Sequence, residues 1–221
     1  MEVREAVLRR RSVRGFLPKP VDPETLRRVI AIATRAPSGG NVQPWHVAAV
    51  IGAPLAALKQ AMAESYGAAE PEPEYAIYPS PLPEPYRSRR FANGEQLYAA
   101  LGIPRAEKAA RLCWLGQNYQ FFGAPAAFFI HTPRFMGAPQ WADLGMWMQT
   151  VMLLLIEEGL TSCAQECWSR YPGIVRRFIP IPEEHVLFAA IAIGFEDEAA
   201  PANALRTDRA PLGEVATFHG F

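Results

Sequence analysis

The order of apolar and polar positions along the chain predicts helices separated by short strands. Apolar residues that recur at spacings of three and four favour a helix, whereas short β-branched and apolar runs between turn residues favour a strand. The predicted helices are residues 2–9, 23–36, 54–66, 87–101, 105–122, 139–158 and a short one at 173–178. The predicted strands are residues 45–51, 126–131, 161–168 and 186–195. This alternation indicates an α/β (α+β) domain with a mixed central sheet and helices on its faces.

One segment departs from this pattern. Residues 70–85 contain six prolines in sixteen positions. Proline removes a backbone donor and is excluded from regular helix and from central strands. We therefore expect an extended surface segment here.

Size and charge limit the classes of protein to which the chain can belong. Its 221 residues and formal net charge of zero predict a single domain over residues 1–221 that does not bind nucleic acid. The first 35 residues nevertheless carry nine basic side chains against four acidic ones. That local excess favours a small anionic ligand.

No run of apolar residues is long enough to predict a membrane span or the core of a signal peptide. Three cysteines cannot form a fully paired disulfide framework, and the four histidines are scattered along the sequence. We expect no metal site, ordinary reduced thiols and a cytoplasmic location.

Three short segments carry the candidate chemistry. Arg10, Ser12 and Arg14 place two guanidinium groups and a hydroxyl beside a chain turn, which is a typical phosphate-binding arrangement. Residues 36–45, Ala-Pro-Ser-Gly-Gly-Asn-Val-Gln-Pro-Trp, combine a permissive backbone with polar side chains suited to the edge of a flat heterocycle. Residues 206–212 add two further arginines near the C-terminus.

Together these segments resemble the nitroreductase family of FMN-dependent oxidoreductases. The family motif Arg-Arg-Ser-x-Arg matches residues 10–14, Ala-Pro-Ser-x-x-Asn-x-Gln-Pro-Trp matches 36–45, and Arg-x-Pro-Leu matches 209–212. The segments Phe-Gly-Ala-Pro at 122–125 and Gly-Leu-Thr-Ser-Cys at 159–163 are also similar to family segments. The resemblance implies a three-layer fold, a variable helical lid at about residues 66–111, and an intertwined homodimer.

The resemblance also implies the cofactor site. FMN phosphate is then held by Arg10, Ser12 and Arg209, with Arg11 and Arg206 as helpers, while Arg14 faces the pyrimidine edge of the flavin. Ser162 and Cys163 offer backbone groups near its central ring. The partner subunit contributes the remaining contacts, which are Pro37, Ser38, Asn41 and Gln43.

The implied function is hydride transfer from NADH or NADPH, through FMN, to a nitroaromatic or related conjugated small molecule. The flavin carries the chemistry, so no catalytic side chain is expected beyond electrostatic support from Arg14. Two alternatives remain open: a reductive dehalogenase or other oxidoreductase on the same scaffold, and a flavin-binding module without turnover. The lid residues Glu84, Tyr86, Tyr98 and Lys108 lack a convincing spacing for the dehalogenase.

The lid also supplies a hypothesis about the electron acceptor. Its aromatic residues are expected to form a wall above the flavin, and the neighbouring Arg87, Arg89 and Arg90 are expected to attract an acidic acceptor such as a nitrobenzoate. An equally weighted alternative is that these arginines are solvated and the aromatics only pack the lid. The aromatic residues concerned are Tyr75, Tyr78, Tyr86, Phe91 and Tyr98.

Overall fold

The structure, a computed structural model, describes residues 1–220. The helices are α1 (Val3–Arg9), α2 (Pro23–Ala33), α3 (Gly52–Ser65), α4 (Tyr86–Ala100), α5 (Lys108–Gly116), α6 (Ala138–Glu157), α7 (Pro172–Arg176) and α8 (Leu212–Val215). The strands are β1 (His46–Ile51), β2 (Ala126–Pro133), β3 (Thr161–Gln165) and β4 (His185–Gly194). Short 3-10 helices cover Gly39–Asn41, Gln117–Gly123, Glu166–Arg170 and Pro201–Ala204.

The four strands form one sheet in the order β1-β2-β4-β3. Each neighbouring pair is antiparallel, and the register of β2 against β4 shifts between Ile130 and His131. A parallel contact is supplied by an isolated bridge between Ser12 and Ser162. The sheet is thus antiparallel rather than mixed as expected, and within the described residues the parallel component is limited to this isolated bridge beside β3.

Helices cover both faces of the sheet, which gives the predicted three layers. Alternate residues of a strand point to opposite faces, so Phe128 and Phe129 of β2 enter different apolar cores. Phe128 packs in the core formed with α2 and α6. Phe129 packs in the core formed with α3, α7 and the two 3-10 helices at 117–123 and 166–170. The architecture is α+β, as the sequence predicts.

The start of α2 confirms the local prediction. Asp22 is the N-cap, and its carboxylate accepts hydrogen bonds from the backbone amides of Glu24 and Thr25, each at 3.2 Å. Proline occupies the first turn, where its missing amide costs nothing. The helix ends at Ala33, three residues before its predicted end.

Two predicted elements need correction. The helix expected at residues 105–122 is limited to α5, because a 3-10 helix follows in which Phe121 and Phe122 adopt positive φ. The strand expected at 161–168 ends at Gln165. The chain then turns so that the ring of Trp168 stacks on Phe121 with centroids 4.6 Å apart. In both places tertiary packing of aromatic rings overrides local propensity.

The proline-rich segment contains no helix or strand, as predicted. Tyr75, however, does not belong to the aromatic wall that was expected above the flavin. Its ring packs against Trp141 and Phe188, and its hydroxyl donates to the Phe188 carbonyl at 2.5 Å. Nearby, the Glu74 carboxylate pairs with Arg134 and Arg176. These contacts fasten the segment to the sheet and α6.

Neither α4 nor α5 contains a buried residue. Phe91 and Leu112, on the two helices, are each more than half exposed. Within residues 1–220, no helix is long and apolar enough to cross a membrane.

Candidate functional site

A cationic cleft of about 500 Å³ lies where the two ends of the chain meet. It is formed by the end of α1 and the loop after it, by one residue of α4, and by the C-terminal segment. Among residues 1–220, no acidic side chain lines this cleft. The lining residues are Leu8, Arg9, Arg10, Arg11, Ser12, Arg14, Asn93, Leu205, Arg206, Thr207 and Arg209. The cleft therefore presents arginine side chains from both ends of the sequence to one small volume.

Six of the predicted site residues line this cleft. The arginines of the lining differ in whether a carboxylate neutralises their charge. Arg11 forms an ion pair with Glu196 at 2.5 Å, and Arg9 pairs with Glu5 at 3.1 Å. Among the described residues, no carboxylate pairs with the other four arginines of the lining. Those unpaired arginines are Arg10, Arg14, Arg206 and Arg209. Their charge is left for a ligand.

The guanidinium of Arg209 is held by its own loop. Nη1 donates to the Thr207 and Asp208 carbonyls and to the Thr207 hydroxyl, at 2.8–3.1 Å. Arg206 similarly donates to the carbonyls of Asn203 and Leu205. These bonds use neutral acceptors, so they orient the two arginines without cancelling their charge.

Sequence reasoning missed Asn203, which joins the opening motif to the C-terminal segment. Its side chain is buried, and its Oδ1 accepts a hydrogen bond from the Arg14 amide at 2.7 Å. Its Nδ2 donates to the carbonyls of Gly15 and Asp197. No local sequence signal identifies this residue, because its partner Arg14 is 189 positions away.

Asn93 of α4 was also missed, and it lines both the cleft and a neighbouring groove of about 680 Å³. That groove separates α4 from the C-terminal segment. Two contacts tie its walls together: Arg89 with Glu214 at 2.5 Å, and Gln96 with Asp208 at 3.1 Å. The candidate lid thus reaches the cationic cleft through α4.

Ser162 and Cys163 lie behind the cleft and do not line it. Both are buried, and the Ser162 carbonyl accepts a hydrogen bond from the Val13 amide at 3.0 Å. Burial raises the pKa of the Cys163 thiol, which disfavours a reactive thiolate. The Ser162 hydroxyl has no hydrogen-bond partner within residues 1–220. The expected backbone contacts of this pair with the flavin stay a prediction.

The turn containing Pro37, Ser38, Asn41 and Gln43 does not contribute to the cleft either. Ser38 accepts a hydrogen bond from the Gln43 amide at 3.0 Å, and Gln43 donates to the Asn41 carbonyl at 3.2 Å. The side chains of Asn41 and Gln43 are exposed. The expected contribution of this turn to the site of another subunit stays a prediction.

Three of the four histidines, which look scattered in the sequence, meet at one end of the sheet. The Nδ1 atoms of His131 and His185 lie 2.8 Å apart, and the His46 ring lies 4.7–5.5 Å from both of the other rings. Burial, followed by the neighbouring His185 and His46, lowers the pKa of His131 to about 4. Within the described residues, no group of histidine, cysteine and acidic side chains is arranged to hold a metal ion.

Comparison of the sequence with known proteins gives a consistent result. The family model described as "Nitroreductase family" matches residues 7–195. A 4-nitrobenzoate reductase from Pseudomonas putida is 32% identical over 97% of this chain and 94% of its own length. A nitrobenzene nitroreductase from Ectopseudomonas oleovorans is 33% identical over 95% of this chain and 93% of its own length.

Comparison with solved structures also finds nitroreductases. The FMN- and NADPH-dependent nitroreductase NfnB from sphigopyxis sp. strain HMH superposes with a TM-score of 0.96 at 49% identity, covering 100% of both chains. The FMN-dependent nitroreductase NfnB from Mycobacterium smegmatis, in complex with NADPH, superposes with a TM-score of 0.93 at 32% identity. That comparison covers 99% of this chain and 100% of the other. The protein described here belongs to the nitroreductase family.

Proposed function

We propose that this protein is an FMN-dependent oxidoreductase that passes electrons from NAD(P)H to nitroaromatic acceptors. The observation that carries the proposal is the cleft in which Arg10, Arg14, Arg206 and Arg209 converge, without a carboxylate partner from residues 1–220. Guanidinium groups bind phosphate oxygens through paired, charge-assisted hydrogen bonds, so such a set suits a phosphate monoester. The cleft therefore fits the phosphate end of FMN.

Each side chain of the cleft has a distinct role in this proposal. Arg10, Ser12 and Arg209 bind the phosphate, and Arg206 adds a second cation from the C-terminal side. Arg14 supplies positive charge that would stabilise the negative charge developing in the site when the flavin is reduced. Arg11 contributes less to phosphate binding than expected, because Glu196 already neutralises much of its charge. When bound, FMN supplies the capacity to accept and donate a hydride.

Relatives named for particular substrates support the acceptor class. A second 4-nitrobenzoate reductase, from Nocardioides sp. strain LMS-CY, is 34% identical over 99% of this chain and 90% of its own length. Together with the Pseudomonas putida enzyme, it favours an acidic nitroaromatic as one acceptor. Arg90 is the lid arginine best suited to such a substrate, because Arg87 and Arg89 form ion pairs with Glu84 and Glu214.

We further propose that residues 1–221 form one domain in which about 66–111 serve as the lid. The two lid helices have no buried residue of their own, and α4 reaches the cleft through Asn93. A segment so placed covers the acceptor without forming part of the main core. We place the protein in the cytoplasm, where NAD(P)H is available.

The proposed assembly is a homodimer. Leu144, Trp147 and Val151 of α6 are buried against the sheet, but Gly145 and Met146 on the opposite side are exposed. The turn at residues 37–43 is also exposed apart from Ser38. A second copy covering these surfaces brings the turn of one subunit to the cleft of the other.

The proposal is tested by loading the purified protein with FMN and recording its visible spectrum and bound flavin per chain. We expect about one FMN per chain, and NADPH oxidation that a nitrobenzoate accelerates. Failure to retain FMN contradicts the cofactor assignment. Retention without any NAD(P)H oxidation favours the non-catalytic module, and acceleration by a halogenated aromatic but not by a nitroaromatic favours the dehalogenase.

A further inference from the structure

The turn at residues 38–43 has an unusual backbone. Gly40, Asn41 and Gln43 all adopt positive φ, at 56°, 56° and 51°. Glycine accepts this region freely, but each non-glycine residue there costs about 1 kcal/mol or more. Such a conformation persists only where surrounding contacts enforce it.

One enforcing contact comes from α6. Asp143 is only 4% exposed, and its Oδ1 accepts a hydrogen bond from the Gly39 amide at 3.3 Å. The other oxygen, Oδ2, is buried without a hydrogen-bond partner within residues 1–220. A buried carboxylate with so few donors is costly for folding. Because burying the Asp143 carboxylate costs stability, its presence at this position is consistent with a functional role.

A second contact holds the other end of the turn. Thr132 at the end of β2 is fully buried, and its hydroxyl donates to the Pro44 carbonyl at 2.8 Å. Within the turn, Ser38 and Gln43 close the loop through the Ser38 hydroxyl. The turn is thus fixed at both ends by buried side chains from two elements that are distant in sequence.

We propose that Asp143 and Thr132 are positioning residues that hold this turn in the conformation needed to contact the flavin of the partner subunit. The inference rests on the proposed FMN function and on the proposed dimer. Asn41 and Gln43 themselves would touch the cofactor. Asp143 acts through the Gly39 amide, and Thr132 acts through the Pro44 carbonyl.

The test compares Asp143→Ala with Asp143→Asn in the full-length protein. Asparagine keeps an oxygen that accepts from Gly39, whereas alanine removes the acceptor. We expect the Kd for FMN, measured by flavin fluorescence, to rise about tenfold in Asp143→Ala, the scale of one lost hydrogen bond to a charged group. Asp143→Asn should stay within about threefold of the wild type. Equal losses in both variants, or a wild-type Kd in Asp143→Ala, would overturn the proposal.

A matched control separates positioning from general destabilisation. Asp22→Ala removes the N-cap of α2, at the end of that helix away from the turn, and is expected to lower stability without changing the Kd for FMN. If Asp22→Ala weakens FMN binding as much as Asp143→Ala, the positioning role is wrong. If Asp143→Ala does not fold, Thr132→Val provides the second variant, because valine keeps the shape and removes only the hydroxyl.

Amide exchange gives a readout that does not depend on flavin. In the full-length protein before FMN loading, Asp143→Ala should speed exchange at Gly39 and Gln43 about tenfold relative to both the wild type and Asp22→Ala. Unchanged exchange contradicts the anchoring role. A wild-type protein that binds no FMN contradicts the proposed function instead, so the two failures are distinguishable.

Discussion

The backbone amide of Arg14 donates a hydrogen bond to Oδ1 of Asn203 at 2.7 Å, which joins the opening motif to the C-terminal segment. The same side chain donates to the carbonyls of Gly15 and Asp197. One buried side-chain amide therefore bonds backbone groups from both ends of the chain, next to the arginines that line the cationic cleft.

Asn203→Ala is expected to destabilise the fold and weaken FMN binding together. The substitution leaves the Arg14 amide without its partner, and an unsatisfied buried group costs about 1–3 kcal/mol. It also removes one hydrogen bond from each of the Gly15 and Asp197 carbonyls, which keep those from the backbone amides of Asp197 and Ala200. Urea unfolding should show a loss of about 3 kcal/mol. Gln60→Ala, which removes an exposed contact to Glu64 on α3, is the control and should be nearly neutral. A loss of unfolding free energy no greater than that of the control would show that Asn203 does not hold the two segments together.

Arg209→Ala is expected to weaken FMN retention more than Arg11→Ala does. Arg209 has only neutral acceptors in its loop, whereas Arg11 is already paired with Glu196. A hydrogen bond to a charged group contributes about 1.5–3 kcal/mol, so the Kd for FMN should rise at least tenfold in Arg209→Ala. Fluorescence titration gives both constants. Equal or reversed effects of the two substitutions remove Arg209 from the phosphate site.

Local elements could be predicted from the sequence because their signals are local. The Asp22 cap fixes the start of α2, and the apolar periodicity gives α6 to within one residue at each end. The arginines of the cleft were predicted as two separate candidate segments from their residue types, and the resemblance to family motifs joined them, since nothing in their spacing brings Arg10 beside Arg209. Their neighbour Asn203 carries no such motif and could not be found.

Tertiary packing explains the elements and site residues that were missed. The chain after Gln165 turns to place Trp168 on Phe121, a contact between segments 47 positions apart that no window of sequence reveals. Asp143 did carry a usable signal. It lies four residues before Trp147 and eight before Val151, so the periodicity puts a carboxylate on the buried face of α6.

The proposed homodimer predicts that Met146→Arg weakens association. Met146 is 38% exposed on the side of α6 that faces away from the sheet, and a buried unpaired charge opposes an apolar interface. Sedimentation at micromolar concentration should show a larger monomer fraction than in the wild type. Ala57→Arg, at an exposed position of α3, is the control and should leave the dimer intact. A flavin-loaded wild-type monomer at this concentration excludes the dimer.

The histidine cluster predicts a loss of stability in mild acid. The pKa of His131 falls from 6.5 to about 4 on folding, through burial and the nearby His185 and His46. The unfolded chain therefore binds protons more readily than the native protein once the pH falls below 6.5. Stability is fully present above that pH and declines towards pH 4, by about 3 kcal/mol at most. Urea unfolding at pH 7.5 and pH 5 measures the decline.

His131→Gln should flatten this dependence, whereas His219→Gln, at an exposed position near the C-terminus, should not. An equally steep decline in His131→Gln assigns the acid sensitivity to other groups. Burial of the His185 ring also lowers its pKa. In the double variant His131→Gln/His185→Gln the pH dependence of stability should therefore be flatter still.

The lid arginines differ in charge partners, and this predicts which one selects an acidic acceptor. Arg87 pairs with Glu84 at 2.7 Å and Arg89 pairs with Glu214 at 2.5 Å. Arg90 instead lies over the Tyr78 ring at 4.4 Å, with no carboxylate partner among the described residues. Its charge is free to attract an anion, so we expect Arg90→Ala to lower kcat/KM for a nitrobenzoate about threefold, the scale of an exposed charge pair.

The neutral ester of the same nitrobenzoate separates charge from packing. If Arg90 acts through its charge, the ratio of kcat/KM for acid over ester falls in Arg90→Ala and stays constant in Arg87→Ala, which serves as the matched control. If Arg90 only packs on Tyr78, both substrates lose activity together and the ratio is constant in both variants. A constant ratio that also extends to Arg89→Ala shows that the lid arginines do not select the acceptor.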